Sequence, residues 1–502
     1  MQKHNANRPA VMDLLEHHGG LAPGVSAKVS EETGVPEADI YGVVSFYTLL
    51  AKPGVARVCQ GISCAMAGSD ALADALQAKG EPYEKVSCLG YCDQAPVQID
   101  KDMELTKHGP RGSITPDDPA LPINLGGQDD ASYSALKAFE GMDPDAFLDQ
   151  LQGSGLQGRG GAGFPAWIKW KAVRNEPIGT RYVVVNADEG EPGTFKDRET
   201  MLRRPHRLIE GLAIACKYVG ATTAYIYLRG EFPAPRRALE LALAKARPHL
   251  GGLDIRLTMG HGAYICGEET ALLEAIEGKR GMPRLKPPYP TQVGLFGEPT
   301  LINNVETLAC VPEIVLRGGD WFKNLGKTEA GSKLYCISGH VEKAGVYELP
   351  LGATLNELVQ AAGGYVGTPK AFSPGGASSG FLPMEHADTP LDFKGLTKVG
   401  SMLGSAGVVV LNDTVDMAAA VRWQQIFFED ESCGQCAPCR IGCRMQRQAI
   451  DAFIESGDVA SLEHTEDLHW EMEEGSICGL GMVASLPLLT AQKHFPSEFE
   501  GS

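Results

Sequence analysis

The spacing of apolar residues changes several times along this chain, and each change predicts a different kind of element. Residues 1 to about 55 read as helical, because Ile40, Val43 and Tyr47 recur at helical spacing. From Val55 onward, a β-branched run, a helix-like segment and a second β-branched run follow one another. This order predicts a helical lead-in joined to a compact α/β unit.

The middle of the chain alternates glycine-rich turns with β-branched runs, at residues 180–190, 222–230 and 262–269. Such alternation predicts an α/β sheet whose strands are followed by ligand-binding loops. Residues 331–364 then read as a small β-rich module with one helix, and residues 415–502 as mostly helical.

Length and local composition predict several domains. At 502 residues the chain exceeds what one hydrophobic core usually holds. Residues 101–135 carry Pro, Gly and charge without periodicity, which is typical of a boundary or linker. We therefore expect the second domain to begin after this segment.

The overall composition excludes several classes of protein. With 45 basic against 63 acidic residues the net charge is −18, which argues against nucleic-acid binding. No apolar run is long enough to span a bilayer, and the N-terminal segment lacks the apolar core of a signal peptide. We expect a cytoplasmic protein that binds neither nucleic acid nor a membrane.

Eight of the 13 cysteines fall into two groups whose spacing is typical of metal clusters. A C-x2-C-x2-C run with one distant partner predicts a [4Fe–4S] cluster. The C-terminal group comprises Cys433, Cys436, Cys439 and Cys478, and the N-terminal group comprises Cys59, Cys64, Cys88 and Cys92. Cys443 lies one helical turn beyond the run, and packing explains it better than ligation. We assign no role to Cys216, Cys266, Cys310 and Cys336.

Residues 158–163 satisfy G-x-G-x-x-G, the dinucleotide fingerprint. The fingerprint requires a preceding strand, whereas the preceding residues here are helix-like, so a strict Rossmann motif is disfavoured. Adjacent glycines still let the backbone approach a phosphorylated or planar ligand, and the following segment could present a helix N-terminus to a phosphate. A nucleotide or flavin loop and a flexible surface loop both remain open.

Two acidic segments, residues 186–194 and 264–270, follow predicted strands. Their carboxylates would repel an anion but suit hydroxyl, amide and ring N–H donors; a solvated turn and helix capping are the alternatives. Residues 286–290 add a lysine and a tyrosine on a stiff proline frame. No hydrolase arrangement is present, so we expect a bound redox cofactor to supply the chemistry, with no catalytic residue of the protein itself.

Several ordered motifs together resemble the NADH-binding flavoprotein subunit of respiratory complex I and its diaphorase relatives. They occupy residues 158–165, 186–198, 262–290, 302–307 and 431–442. The resemblance covers about residues 150 to 502. It implies an FMN in the α/β domain, NAD(H) stacked over it, a ubiquitin-like β module, and a helical bundle that holds a [4Fe–4S] cluster on the C-terminal cysteine group.

Carried over residue by residue, the resemblance also implies two sets of contacts. FMN would be bound by Gly158, Arg159, Gly160, Lys169, Asn186, Asp188, Glu189, Tyr264, Gly267, Glu268, Glu269, Ile302, Asn303, Asn304 and Thr307. The nicotinamide nucleotide would be bound by Phe164, Lys169, Glu191, Lys286 and Tyr289. Relatives commonly have Phe at the position of Tyr289, and a further aromatic residue at that of Ala172.

The N-terminal part resembles the small thioredoxin-like ferredoxin subunit of the same systems. The resemblance implies a [2Fe–2S] cluster on Cys59, Cys64, Cys88 and Cys92. The interval between Cys64 and Cys88 is shorter than in those subunits, because a strand-turn segment is missing. A structural thioredoxin-like domain with free thiols is the alternative.

Fusion of the two units in one chain most resembles the diaphorase (beta) subunits of cytoplasmic, NAD-dependent molybdenum formate dehydrogenases. Diaphorase subunits of NAD-reducing hydrogenases and of complex I-type NADH dehydrogenases are the second interpretation, and a vestigial scaffold is the non-enzymatic one. The expected partners are a molybdenum-containing catalytic subunit and a small thioredoxin-like [2Fe–2S] subunit, because the formate site must lie on another chain.

The predicted fold class is therefore multidomain α/β. It comprises a thioredoxin-like domain, a Rossmann-like FMN/NAD-binding domain, a ubiquitin-like β module and a C-terminal helical bundle. The expected boundaries are 1–110 for the lead-in and ferredoxin domain, 111–150 for the linker, 151–325 for the FMN/NAD domain, 326–412 for the β module and 413–502 for the [4Fe–4S] domain.

Overall fold

The N-terminal domain of the computed structural model, which describes residues 7–177 and 179–500, begins with helices and continues as a small sheet. The helices of the lead-in are α1 (Val11–His17), α2 (Val25–Thr33), α3 (Glu37–Val44) and α4 (Thr48–Ala51). The α/β unit comprises β1 (Ala56–Cys59), α5 (Ile62–Met66), α6 (Ser69–Lys79), β2 (Tyr83–Val86), β3 (Gln98–Ile99) and β4 (Leu105–Lys107). The sheet order is β2-β1-β3-β4, with β1 and β2 parallel. The predicted order of helices, strand, helix and strand is confirmed.

The segment expected to link the domains is part of two folded units. It carries β5 (Ser113–Ile114), which pairs in parallel with a strand of the β module. Helices α7 (Ser134–Glu140) and α8 (Pro144–Gly153) follow. Phe139 and Phe147 on these helices are buried in the core of the flavin domain. Their apolar faces are short, so periodicity within the segment gave little sign of this packing.

The central domain is a four-stranded parallel sheet with helices on its faces. Its elements are α9 (Ala166–Asn175), β6 (Tyr182–Ala187), α10 (Lys196–Arg203), α11 (Pro205–Val219), β7 (Thr223–Leu228), α12 (Pro233–Ala246), β8 (Asp254–Met259), α13 (Glu269–Ile276), β9 (Thr300–Asn304), α14 (Val305–Arg317) and α15 (Gly319–Lys323). The order β8-β7-β6-β9 places β6 centrally, and its run of valines is fully buried, as in strands covered on both faces. Asn186 and Asn304 are register partners, so the carboxyl ends of β6 and β9 meet at one edge.

The β module and the helical domain complete the chain. The module contains β10 (Ser332–Gly339), β11 (Gly345–Pro350), α16 (Leu355–Ala361), β12 (Pro369–Ser373), β13 (Leu382–Pro383), α17 (Phe393–Lys398) and β14 (Gly407–Asn412). Its sheet has the order β13-β12-β14-β10-β11-β5. The helical domain contains α18 (Met417–Glu431), α19 (Ala437–Ser456), α20 (Thr465–Gly475), α21 (Gly479–Val483) and α22 (Leu486–His494). Among the described residues, no helix is both long enough and apolar enough to cross a membrane.

Candidate functional site

Two adjoining cavities lie where β6 and β9 end. The first, here called the inner cavity, has a volume of about 350 Å³. The second, the outer cavity, has a volume of about 610 Å³. They share part of their lining, namely Gly160, Gly161, Ala162, Asn186, Gly267, Glu268 and Asn304. The two cavities therefore form one cleft at the carboxyl edge of the parallel sheet, where open α/β sheets bind their ligands.

The inner cavity collects most of the residues predicted from the acidic segments. The predicted residues that line it are Gly160, Asn186, Asp188, Glu189, Glu191, Tyr264, Gly267, Glu268 and Asn304. The β module and the helical domain close it from the other side with Gly375, Ser378, Met402, Gly404, Ser405, Cys478, Gly479, Leu480 and Val483. Three domains therefore build this cavity together.

The outer cavity collects the glycine loop and the residues predicted for the nucleotide. The predicted residues that line it are Gly158, Gly160, Phe164, Lys169, Asn186, Gly267, Glu268, Glu269, Lys286, Tyr289, Ile302, Asn303 and Asn304. The rings of Phe164 and Tyr289 are 45% and 53% exposed, which leaves their faces free to stack on a planar group. Ala172 also lines this cavity.

Two predicted contacts, Arg159 and Thr307, line neither cavity. The Arg159 N–H donates to Thr307 Oγ1 at 2.8 Å, and its Nη2 donates to the carbonyl of Ala330 at 2.9 Å. The side chain of Arg159 is fully buried, and its Nε and Nη1 find no acceptor among the described residues. These residues support the glycine loop from beneath, and the loop itself closes through Gly158 N–H donating to the Phe164 carbonyl at 2.8 Å.

The acidic turn after β6 is partly to fully buried, and its carboxylates make different contacts. Glu189 accepts from the N–H groups of Asp197 and Arg198, at 2.8 and 2.9 Å, and so caps the start of α10. Burial raises the pKa of Glu189 to about 7, with the nearby Asp197 carboxylate adding to the effect. Glu191 accepts from Tyr264 Oη at 2.5 Å and from Ser378 N–H at 2.9 Å.

Asp188 provides a test of whether FMN fits the inner cavity. Burial raises the pKa of this carboxyl well above its usual range. Its Oδ2 has no hydrogen-bond partner among the described residues. A buried oxygen without a donor is costly, and an isoalloxazine or ribityl group offers N–H and O–H donors. The residues present therefore fit FMN.

Opposite charges balance one another at the outer cavity. Lys169 Nζ lies 2.6 Å from Glu269 Oε2, and Lys286 Nζ lies 2.8 Å from Glu268 Oε1 and 3.0 Å from Glu269 Oε1. Glu268 Oε2 also accepts from Thr270 N–H at 2.8 Å, which caps α13. Glu268 therefore caps a helix and also lines both cavities, so capping is observed and ligand binding stays a prediction.

The asparagine pair at the end of β9 is already engaged with the protein. Asn303 Oδ1 accepts from Trp170 Nε1 at 2.9 Å, and Asn304 Nδ2 donates to Asp197 Oδ2 at 2.6 Å. Asn304 Oδ1 accepts from Glu306 N–H at 3.0 Å and caps α14. These bonds fix the orientation of both amides at the floor of the cleft.

The four N-terminal cysteines come together, although the interval between Cys64 and Cys88 is short. All four are buried, Cys59 contacts Cys64 and Cys88, and the sulfurs of Cys88 and Cys92 are 3.9 Å apart. Gly90 N–H donates to Cys88 Sγ at 3.4 Å, and Gly193 N–H donates to Cys92 Sγ at 3.3 Å. Four converging thiols with N–H donors aimed at sulfur fit a [2Fe–2S] cluster.

The C-terminal cysteines form a second centre beside the cleft. Cys433, Cys436, Cys439 and Cys478 line one small cavity, together with Ile265, Pro283, Gln435, Ile477 and Leu480. Cys443 is fully buried and its sulfur lies 3.9 Å from that of Cys439, but it does not line this cavity. The predicted set of four thiolates fits a [4Fe–4S] cluster. Cys478 lines the inner cavity as well, so this centre adjoins the candidate FMN site.

Sequence reasoning missed several residues of the inner cavity. Lys196 and Asp197 line it and lie immediately after the predicted acidic turn. Ser378 and Ser405 come from loops of the β module, and Ser405 Oγ lies 2.5 Å from Thr194 Oγ1. The glycine-rich stretches around these serines were the available signal, but nothing in them indicates which distant domain they face.

Comparisons with known proteins agree with this arrangement. The chain matches four families: thioredoxin-like [2Fe-2S] ferredoxin at residues 1–108, Nuo51 FMN-binding domain at 151–313, SLBB domain at 334–382, and NADH-ubiquinone oxidoreductase-F iron-sulfur binding region at 419–502. It is 47% identical to the F 2 subunit of NADH-quinone oxidoreductase from Rhizobium meliloti (strain 1021), over 73% of this chain and 91% of the relative. It is 43% identical to the F subunit of NADH-quinone oxidoreductase from Streptomyces coelicolor (strain ATCC BAA-471 / A3(2) / M145), over 73% of this chain and 85% of the relative.

The fold is also similar to a solved structure over nearly its whole length. A chain of NAD+-reducing [NiFe]-hydrogenase in the H2-reduced state superposes with a TM-score of 0.91 at 31% identity, covering 98% of this chain and 93% of that one. This coverage extends to the N-terminal cysteine domain, whereas the two relatives above each match 73% of this chain. The predicted fold class and the expected domain types are confirmed.

Proposed function

Because the chain belongs to the family of the NADH-quinone oxidoreductase F subunits, we propose that it is the diaphorase (beta) subunit of a cytoplasmic, NAD-dependent molybdenum formate dehydrogenase. The family itself establishes the coarser function: the chain is an NADH-oxidising electron-transfer subunit with an FMN-binding domain and regions for [4Fe–4S] and [2Fe–2S] clusters. The electron donor and the individual binding residues belong to the proposal.

One observation carries the electron-transfer function. Cys478, a member of the predicted [4Fe–4S] ligand set, lines the same inner cavity as Asp188 and Glu191, which are predicted to hold FMN and nucleotide. Bound FMN exchanges a hydride with nicotinamide and single electrons with iron–sulfur clusters. The shared cavity supports close contact between these two centres.

Different residues of the cleft contact different parts of the bound ligands in this proposal. Asp188 offers an acceptor to a buried donor of the flavin, while Glu189 holds the turn in place through α10. Phe164 and Tyr289 offer ring faces to a nucleotide base at the outer cavity. Leu480 and Val483 cover the inner cavity with apolar groups, which limits the access of water to the flavin.

A ferredoxin unit and a flavoprotein unit are fused in one chain, and this fusion is the reason for proposing formate as the source of electrons. The recognised motifs account for flavin, nucleotide and iron–sulfur binding, so formate oxidation requires a molybdenum-containing partner. A hydrogenase partner is the second candidate. It is favoured by the similarity to a chain of an NAD+-reducing [NiFe]-hydrogenase over 98% of this chain.

Purification of the complex under native conditions tests the donor. We expect the chain to co-purify with a molybdenum-containing subunit and the complex to reduce NAD+ with formate. Reduction of NAD+ with H2 instead, and nickel in place of molybdenum, would replace the first candidate by the second. Denaturation should release about one FMN per chain; a preparation with full iron content and no flavin would favour the scaffold interpretation.

A further inference from the structure

The β module and the helical domain are held together at a close joint. Phe381 N–H donates to Thr490 Oγ1 at 2.8 Å, so the segment before β13 is bonded to α22. At Gly380, where φ is 66°, an added Cβ would lie 2.5 Å from Thr490 Oγ1 and 2.9 Å from the Leu486 carbonyl oxygen. Only glycine allows this approach without displacement.

Three side chains with metal-binding atoms meet at the solvent edge of this joint. Glu385 and His386 follow β13, and His494 ends α22. One ligand atom from each lies within 4.8 Å of the others. The imidazole rings of His386 and His494 are 5.9 Å apart and nearly perpendicular, and His386 Nε2 lies 3.7 Å from Glu385 Oε1. The three groups thus converge from two domains, although 108 positions separate the histidines in sequence (494 − 386).

We propose that Glu385, His386 and His494 form a binding site for a divalent transition-metal ion of the zinc class, which bridges the β module and the helical domain. Imidazole and carboxylate ligands suit such an ion, which commonly takes three protein ligands and one water in a tetrahedral arrangement. Ligand bonds of about 2.1 Å place neighbouring ligand atoms about 3.4 Å apart. The side chain of Glu385 is 73% exposed and is free to close the remaining distance.

Charges of both signs lie beside the site. Lys493 places a positive charge beside the site, which opposes the binding of a cation, whereas Glu385 supplies a negative charge that favours it. The site is chemically separate from the two cysteine centres, because its ligands are nitrogen and oxygen rather than sulfur.

The proposed ion would affect the joint that closes the inner cavity. Ser378, which precedes the Gly380 contact, lines the inner cavity and donates its N–H to Glu191 Oε1 at 2.9 Å. Val483, which precedes α22, lines the cavity from the helical domain. A ligand that binds the folded joint and not the unfolded chain stabilises the protein, and the stabilisation grows with the logarithm of the ligand concentration once that exceeds Kd. We therefore expect zinc to raise the thermal midpoint of unfolding.

Equilibrium dialysis of the oxidised holoprotein against ZnCl2 tests the proposal. We expect one zinc ion per chain, bound without loss of iron or FMN, and a rise of about 2 °C in the unfolding midpoint that EDTA reverses. His386→Gln and His494→Gln should each weaken zinc binding by about tenfold or more, since even the loss of an outer partner of a metal ligand commonly has that effect. Flavin content reports whether each variant is folded.

His464→Gln is the matched control. His464 also lies near a carboxylate, with Nδ1 3.8 Å from Asp467 Oδ2, but no second histidine joins it in the described metal-ligand groups. This variant should bind zinc as the original protein does. Cu2+ added to the oxidised holoprotein should give an EPR signal split by two nitrogen nuclei, and either histidine variant should lose one of them. Absence of saturable zinc binding, or binding that both histidine variants retain, overturns the proposal.

Discussion

The two cysteine centres flank the same cleft but have very different surroundings. The N-terminal sulfurs belong to residues at most 5% exposed, whereas three of the four C-terminal cysteines are partly exposed. The flavin domain covers the N-terminal centre: Arg229 donates to the Cys88 carbonyl, and the Phe232 ring packs against Tyr91. Exposure and hydrogen bonds to sulfur tune the potential of iron–sulfur clusters.

This difference suggests a division of roles. The C-terminal centre combines access to the surface with contact to the inner cavity through Cys478, which suits the exchange of electrons with a partner subunit. The N-terminal centre contacts the acidic turn after β6 through Gly193 N–H and Cys92 Sγ, and all four of its cysteines are buried. We expect the C-terminal centre to lie on the main electron route and the N-terminal centre to exchange electrons only with the flavin.

Cys436→Ser should have the largest effect, because it removes one predicted ligand of the partly exposed C-terminal centre. NAD+ reduction driven by the partner's substrate should fall by about 100-fold or more, whereas NADH oxidation by ferricyanide should largely survive. Iron content and both activities of the purified complex check this outcome. Cys443→Ala is the control and should retain all the iron; equal loss in the control would make Cys443 a ligand.

Asp93→Ala should loosen the enclosed centre without touching a cysteine. Asp93 Oδ1 and Oδ2 each lie 2.9 Å from Arg198 Nη2, and both side chains are buried between the N-terminal and flavin domains. Loss of the carboxylate leaves Arg198 with Glu199, 3.0 Å from the same nitrogen, as its remaining buried partner, and should cost about 3 kcal/mol of stability. Urea denaturation, monitored through the accessibility of the cysteines, measures this loss of stability. Asp70→Ala, at an exposed pair with Lys85, should be nearly silent.

Cys92→Ser separates the roles of the two centres directly. A serine hydroxyl still accepts the bond from Gly193 N–H, so the acidic turn after β6 should keep its position. We expect loss of the [2Fe–2S] EPR signal from the reduced protein, with FMN and most of the substrate-driven activity retained. A loss of activity as large as that of Cys436→Ser would place both centres on the main route and remove the proposed difference between their roles.

Glu189→Gln should have the smallest effect, which is a change in how the stability of the protein depends on pH. Burial raises the pKa of Glu189 from 4.5 to about 7, so in this window the folded protein holds a proton that the unfolded chain releases. The contribution of this carboxyl to stability is full below pH 4.5 and is lost as the pH rises through 7. In the original protein this carboxyl should lower the free energy of unfolding by about 2 kcal/mol between pH 4.5 and about 7. The variant should lack this decline, which urea denaturation measures. The exposed Glu81→Gln should leave the decline unchanged.

Sequence reasoning was most successful where one short segment contains the whole signal. The C-x2-C-x2-C run identified three thiolates within seven residues, and the structure places Cys478 with them. It left more open where one residue has several possible tasks. Glu189 was predicted to contact FMN and lines the inner cavity, but both of its oxygens accept from the backbone of α10. Periodicity does not distinguish a capping carboxylate from a ligand-binding one.

The contribution of the β module to the cleft was beyond sequence reasoning for a different reason. Ser378 and Ser405 lie about 190 to 210 positions after the acidic turn they face, in loops between strands. Arg159 illustrates a related limit, because a charged residue in a glycine loop suggests a ligand contact, and here its side chain is buried beneath the loop with Nε and Nη1 unpartnered among the described residues. Only the packing of whole domains determines which of these side chains reaches the cavity.

The pairing of β5 with β11 determines where this chain can be dissected. Ser113 and Ile114 complete the edge of the module's sheet, so a truncation at residue 110 would remove a strand from a folded domain. Gln128 and Asp130 are exposed and lie between that strand and α7. A two-piece expression system split at residue 130 would keep β5 with the ferredoxin piece, and pairing of that strand with the module would help the two pieces reassemble.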